Sequence, residues 1–123
     1  CEPENFDDMA RSLKQKSRIT NKAMDGSICD AILTPTPGEL TFEILEKYAA
    51  PGLVASDAQA LEAMSLLFLH HNLVVEPGGA ISLAAALNQY EKIDSDVLII
   101  VCTGGNVDPV IFSRALDLID FKY

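Results

Sequence analysis

V-L-I-I-V-C-T-G-G-N-V-D-P, residues 97–109, is the stretch on which the reading of the fold turns. Its first six residues are apolar and rich in Val and Ile, too few for an ordinary helix, and they predict a strand buried on both faces of a parallel sheet. The run stops at Thr103, Gly104, Gly105 and Asn106, after which Asp108 and Pro109 supply an N-cap and a first-turn proline for a helix. Open α/β sheets bind ligands at such strand ends. The glycines let backbone approach a ligand closely, and Thr103 and Asn106 set a hydroxyl and an amide beside it. A plain turn explains the glycines equally well, so this loop by itself leaves both readings open.

Upstream, V-V-E-P-G-G-A at 74–80 runs from apolar through acidic to glycine-rich, and leads into a helix of small residues over 80–87. Glu76 is then either an acid that favours a helix start or a carboxylate that faces a ligand. Ser56 and Gln59 have capping-box spacing ahead of Leu61, Met64, Leu67 and Phe68, whose helical spacing makes a core stripe. His70 and His71 are adjacent, point in different directions on a helix, and read as residues near its carboxyl end. Leu53, Val54 and Ala55 read as a short strand. Thr36, Pro37 and Glu39 form a second capping box, with Leu40, Ile44, Leu45 and Tyr48 on one face of the helix that follows. An apolar stretch over 27–33 is interrupted by Asp30, which would need partners if buried.

Residues 14–26 are polar and read as a surface loop. At the start, Asn5 or Asp7 can cap a helix through Met9, Ala10 and Leu13. The helix dipole accounts for Asp7 and Asp8 but not for Glu2. Glu2 and Asp8 across a tight turn offer hard oxygen ligands to Mg²⁺ or Ca²⁺, set against the plainer reading of a solvated acidic turn. Cys1, Glu2 and Pro3 look like the last residues of a strand, and together with the absence of an initial Met they suggest a fragment of a longer chain.

The 123 residues have the length of one domain, and 49% hydrophobic content suffices for a core. A formal charge of -9 argues against nucleic acid or an anionic membrane as partner. The apolar runs are too short to span a membrane, and no signal peptide opens the chain, so a cytoplasmic protein is expected. Cys1, Cys29 and Cys102 lack disulfide or zinc spacing and read as reduced thiols. Helical and extended segments alternate, which predicts an α/β fold with parallel strands.

E-P-E-N-F-D-D-M-A-R-S-L at 2–13, S-I-C-D-A-I-L at 27–33, L-V-V-E-P-G-G-A-I-S-L-A-A-A-L at 73–87 and I-V-C-T-G-G-N-V-D-P at 100–109 carry a resemblance. In order and spacing the chain resembles the C-terminal part of the threonine/serine dehydratase and serine racemase family. These are tryptophan synthase beta-like, fold type II pyridoxal-phosphate enzymes. The resemblance implies that residues 1–123 are the C-terminal segment of a pyridoxal-phosphate-binding domain, part of a parallel sheet flanked by helices. It implies that Thr103 matches the hydroxyl residue, usually Ser, that hydrogen-bonds the cofactor's pyridine nitrogen. Gly104, Gly105 and Asn106 match the loop behind it, and Glu76 matches a family glutamate near the ring edge. Ala31 stands where the family often has Gly, with its backbone against the ring. Glu2, Asp8 and the carbonyl of Phe6 match the divalent-cation site of metal-activated members.

The same resemblance implies a lyase that removes water from L-threonine or L-serine to give a 2-oxo acid and ammonia, working as a homodimer. A serine racemase or a hydroxyectoine-pathway dehydratase remains an alternative within the family. The family's Schiff-base lysine, substrate loop and phosphate loop correspond to sequence before Cys1. Lys14, Lys16, Lys22, Lys47, Lys92 and Lys122 fall in no such motif, so the chain alone is not expected to catalyse. The rival from another class is a non-catalytic α/β module that binds a phosphorylated small molecule or a protein partner.

Overall fold

The computed structural model describes residues 1–22 and 25–119; Lys122 lies outside them. Strand β1 (Glu2–Pro3) pairs in parallel with β2 (Val54–Ala55), Glu2 opposite Val54 and Pro3 opposite Ala55. Helix α1 (Asp8–Gln15) follows β1 and ends on Lys16 in the left-handed region. A 3₁₀ turn (Asp30–Ile32) precedes α2 (Glu39–Tyr48), and α3 (Asp57–His71) leaves β2 directly. Helix α4 (Pro77–Asn88), a second 3₁₀ turn (Tyr90–Lys92) and α5 (Pro109–Leu116) complete the order. The fold is α/β with a small parallel sheet.

The core lies between α3 and α4. Ala60 and Ala63 on α3 and Ala84 and Ala85 on α4 are fully buried, and residues this small let two helix backbones approach closely. Leu61, Met64, Leu67 and Ile81 fill the remaining space. Met64, 0% exposed, is the largest fully buried side chain among the described residues. Helix α5 is fixed to this pair by an edge-on contact of Phe112 with Phe68, ring centroids 5.5 Å apart.

The capping signals hold where nothing competes with them. Ser56 accepts from the Gln59 amide at 3.3 Å while the Gln59 side chain accepts from the Ser56 amide at 2.9 Å, closing the expected box. Asp108 accepts from Val110 and Ile111, with Pro109 in the first turn of α5. The box expected at Thr36 and Glu39 does not form. Arg18 donates to the Pro37 carbonyl and to Glu39 Oε1, so the glutamate is engaged across the fold and α2 starts two residues later, on Gly38.

Two apolar patterns are present without the burial they predict. Leu40 is 77% exposed, Ile44 and Tyr48 are exposed as well, and the residue that α2 buries is Phe42. Residues 97–102 form no paired strand, and Ile99 is 85% exposed. Among the described residues the paired strand segments are β1 and β2, which bond each other, so no strand is left to complete a sheet around 97–102. Its inward side meets helices instead: Ile100 and Cys102 line a cleft with Leu66, Leu67, Leu83 and Leu87.

All three cysteines are free; Cys1 is exposed, Cys102 partly so, and Cys29 is 0% exposed. Burial pushes the Cys29 thiol up to about 11. At pH 8 its thiolate fraction is therefore roughly one in a thousand, and access is closed as well. Labelling the native protein with a thiol reagent at pH 8 is expected to modify Cys1 and Cys102 and to spare Cys29 until denaturant is added. Because the folded state raises this pKa, the associated stability is full below about 9 and falls as the pH climbs toward about 11.

Candidate functional site

The amino end of α4 is where the separated sequence motifs meet. Glu76 is its N-cap in extended conformation and Pro77 its first residue, so the chain enters the helix with a pre-set φ and one fewer orphan amide. The loop after residue 102 lies across this end. The Glu76 amide donates to the Gly104 carbonyl at 2.6 Å. At Gly79 an added Cβ would overlap the Thr103 carbonyl oxygen and stand 2.7 Å from its carbon. Gly104, at φ +72°, faces the Glu76 side chain so closely that a Cβ there would lie 2.5 Å from its Cγ. Both glycines are required by close approach, and Gly104 by backbone conformation too.

A third segment closes on the same helix end. Ile32, last residue of the 3₁₀ turn, has its side chain 3.5 Å from where a Gly78 Cβ would stand. The turn is held from below by Asp57, which accepts from Ser27 Oγ at 2.6 Å and from the Ile28 amide at 3.2 Å, and by the burial of Cys29. Asp30 itself is exposed and needs no buried partner. Thus Glu76, Thr103 and Gly104 meet at one end of α4 with Ile32 beside them; Ala31 directly precedes Ile32, and Gly105 and Asn106 follow in the loop.

Ala31, Thr103, Gly105 and Asn106 are exposed, so this face is open, and Glu76 is half-buried. Small residues at 31, 104 and 105 leave backbone accessible, and the Thr103 hydroxyl and the Glu76 carboxylate are the polar groups this face offers a ligand.

Glu2, Phe6 and Asp8 belong to a different place, the start of α1. Glu2 Oε1 accepts from the Met9 amide at 2.9 Å and Oε2 from the Ala10 amide at 2.7 Å, so it caps α1 from the preceding strand. This supplies the role that the dipole argument did not. Burial, opposed by those two amides, pushes the Glu2 carboxyl above its ordinary value. Asp8 is 1% exposed; its Oδ1 accepts from Asn21 Nδ2 at 2.8 Å and both its oxygens lie 3.3 Å from Thr34 Oγ1. Phe6 is buried, its amide on the Pro3 carbonyl at 3.1 Å. Among the described residues no group of three or more His, Cys, Asp or Glu side chains could hold a metal ion.

His70 and His71 are exposed in the last turn of α3, as expected of helix-end residues. Asn21, 5% exposed, is the polar residue that sequence reasoning passed over, since a polar loop carries no periodicity to single it out. No helix among the described residues is long and apolar enough to cross a membrane.

Residues 1–104 match the family described as "Pyridoxal-phosphate dependent enzyme". The chain is 35% identical over 108 residues to a beta-hydroxyaspartate dehydratase of Paracoccus denitrificans, covering 88% of this chain and 34% of that protein. It is 29% identical over 116 residues to an L-threonine ammonia-lyase of Thermotoga maritima, covering 93% and 28%. Among solved structures, a threonine deaminase of T.th. superposes with a TM-score of 0.81 at 37% identity, covering 87% of this chain and 36% of that one. Maize serine racemase superposes at 0.80 and 29% identity, covering 94% and 36%. The chain spans about a third of the length of these relatives.

Proposed function

From the fact that the chain belongs to the pyridoxal-phosphate-dependent enzyme family, a group of lyases and racemases, we propose that it is the C-terminal part, residues 1–123, of a threonine/serine dehydratase. The whole enzyme would convert L-threonine to 2-oxobutanoate and ammonia, and L-serine to pyruvate and ammonia. The supporting observation is the meeting of the 30–32 turn, Glu76 and the loop at Thr103 and Gly104, three segments distant in sequence, at the amino end of α4.

Bound pyridoxal phosphate supplies an electron sink for loss of the substrate's α-proton. The contribution of this chain is to hold and tune that group. Thr103 would hold the cofactor's pyridine nitrogen by donating its O–H, a neutral hydroxyl that, unlike a carboxylate, would not keep that nitrogen protonated. With such a partner the cofactor would supply a weaker electron sink, suited to elimination of a β-hydroxyl. Ala31 would present backbone to the ring, and Glu76, whose side chain Gly104 closely approaches, would offer its carboxylate. The lysine that bonds the cofactor is supplied from outside this chain's motifs, so the chain by itself turns over nothing. The full enzyme is read as a cytoplasmic homodimer. A divalent ion at Glu2, Phe6 and Asp8 is a separate proposal, and no step above passes through it.

The test is the full-length protein, loaded with pyridoxal phosphate and supplied with L-threonine, L-serine and 3-hydroxyaspartate in turn. Release of 2-oxobutanoate and pyruvate is the expected result, with Thr103→Ala lowering kcat/KM by about tenfold or more, the scale for losing one well-placed hydrogen bond to a reacting group. Preferred elimination from 3-hydroxyaspartate, or inversion of serine without elimination, would move the assignment to another branch of the family. Failure to take up pyridoxal phosphate would favour the non-catalytic module.

A further inference from the structure

We propose that Asn21 is a positioning residue for the cofactor cradle, a role that rests on the reading that pyridoxal phosphate sits at the amino end of α4. Asn21 lies in the loop between α1 and the 3₁₀ turn, and every polar atom of its side chain is engaged. Its Nδ2 donates to Asp8 Oδ1 and to the Thr34 carbonyl, both at 2.8 Å, and its Oδ1 accepts from Arg11 Nη2. Its backbone amide donates to the Pro35 carbonyl at 2.7 Å. Arg11 is itself fixed by Asp7, Nε to Oδ1 at 2.9 Å, so α1 presents a rigid anchor on both sides of the amide.

What this anchor grips is the exit of the 3₁₀ turn. The Thr34 amide donates to the Ile32 carbonyl and the Ile32 amide to the Cys29 carbonyl, both at 3.0 Å, so residues 29–34 move as one piece. Asn21 holds that piece at Thr34 and Pro35, while its other end rests on α4 through Ile32 against Gly78. Ala31 is carried between the two supports. A shift of Thr34 is therefore a shift of the Ala31 backbone relative to Glu76 and Thr103, and a displacement of a few tenths of an ångström there changes how a ring is seated.

Three variants of the holoprotein separate positioning from mere stability. Asn21→Ala removes the grip; Asn21→Asp keeps the shape but turns acceptors toward Asp8 and the Thr34 carbonyl. Leu61→Ala destabilises the core beside Leu66 and Leu118, in a cleft that neither Ala31, Glu76 nor the 103–106 loop lines. With pyridoxal phosphate as the titrated probe, both Asn21 variants are expected to raise its Kd by about tenfold, the equivalent of one lost hydrogen bond. The bound cofactor's absorbance should shift with them, and hydrogen exchange at the Ile32 and Thr34 amides should speed up. Leu61→Ala is expected to lower Tm without either change. Asn21 variants whose cofactor affinity and spectrum match those of Leu61→Ala at equal loss of Tm would overturn the proposal, as would unchanged exchange at Ile32 and Thr34. A wild-type protein that takes up no pyridoxal phosphate would instead sink the cofactor reading, and the exchange comparison would still decide whether Asn21 sets the turn.

Discussion

Replacing Gly79 by Ala is expected to unseat the 103–106 loop, whereas the same change one residue earlier, Gly78→Ala, is expected to be neutral or stabilising. Both glycines lie in the first turn of α4, where exchanging Gly for Ala gains about 0.5–1 kcal/mol of helix stability in the absence of contacts. At Gly78 the new methyl would meet Ile32 side-chain atoms at 3.5–3.8 Å, ordinary van der Waals distances. At Gly79 it would overlap the Thr103 carbonyl and approach the Thr103 nitrogen at 3.2 Å, and these are backbone atoms that cannot rotate away. Overpacking of this kind costs about 1–3 kcal/mol, enough to reverse the gain in propensity. The two variants should therefore move Tm in opposite directions. The loop cannot retreat without breaking the bond from the Glu76 amide to the Gly104 carbonyl, so Gly79→Ala should also weaken pyridoxal phosphate uptake by the full-length protein. Equal Tm values for the two variants would refute the close approach of loop and helix.

The contrast between neighbouring glycines shows what the sequence can and cannot carry. G-G after E-P marks a helix start next to a tight approach, but which glycine is indispensable depends on a loop that arrives from residue 103. Local chemistry was legible: the caps at Ser56 and Asp108, the strand ends at Glu2–Pro3 and Val54–Ala55, and the helical stripe of Leu61, Met64 and Leu67 all formed as expected. What failed depended on partners outside the local segment. Arg18 captured Glu39 and delayed α2, and the apolar residues at 40, 44 and 97–101 predict burial that the described residues do not supply. The cofactor residues came from a resemblance, since each motif alone allowed a plain turn or a plain helix start. Asn21 was invisible because a buried amide in a polar loop differs from a solvated one only through the groups that surround it.

Asp8 gives the second large effect. Asp8→Leu should cost about 1–3 kcal/mol, because it leaves one N–H of the Asn21 amide without its acceptor where Asp8 is 1% and Asn21 5% exposed. Asp8→Asn should cost far less. Its oxygen can still accept from Asn21, and its amide can donate to Thr34 Oγ1, which accepts as readily as it donates. Only the favourable interaction of a negative charge with the first turn of α1 is then lost, about 0.3–1 kcal/mol. The pair of variants also tests the proposed cation site, since an amide preserves the hydrogen bonds but is a poor ligand for Mg²⁺. If Glu2, Phe6 and Asp8 hold the ion, millimolar Mg²⁺ should raise the Tm of the full-length protein by mass action, and Asp8→Asn should abolish that rise while the Tm without Mg²⁺ stays close to wild type. An unchanged wild-type Tm on adding Mg²⁺ would reduce both carboxylates to the work the structure already gives them, Glu2 capping α1 and Asp8 anchoring Asn21.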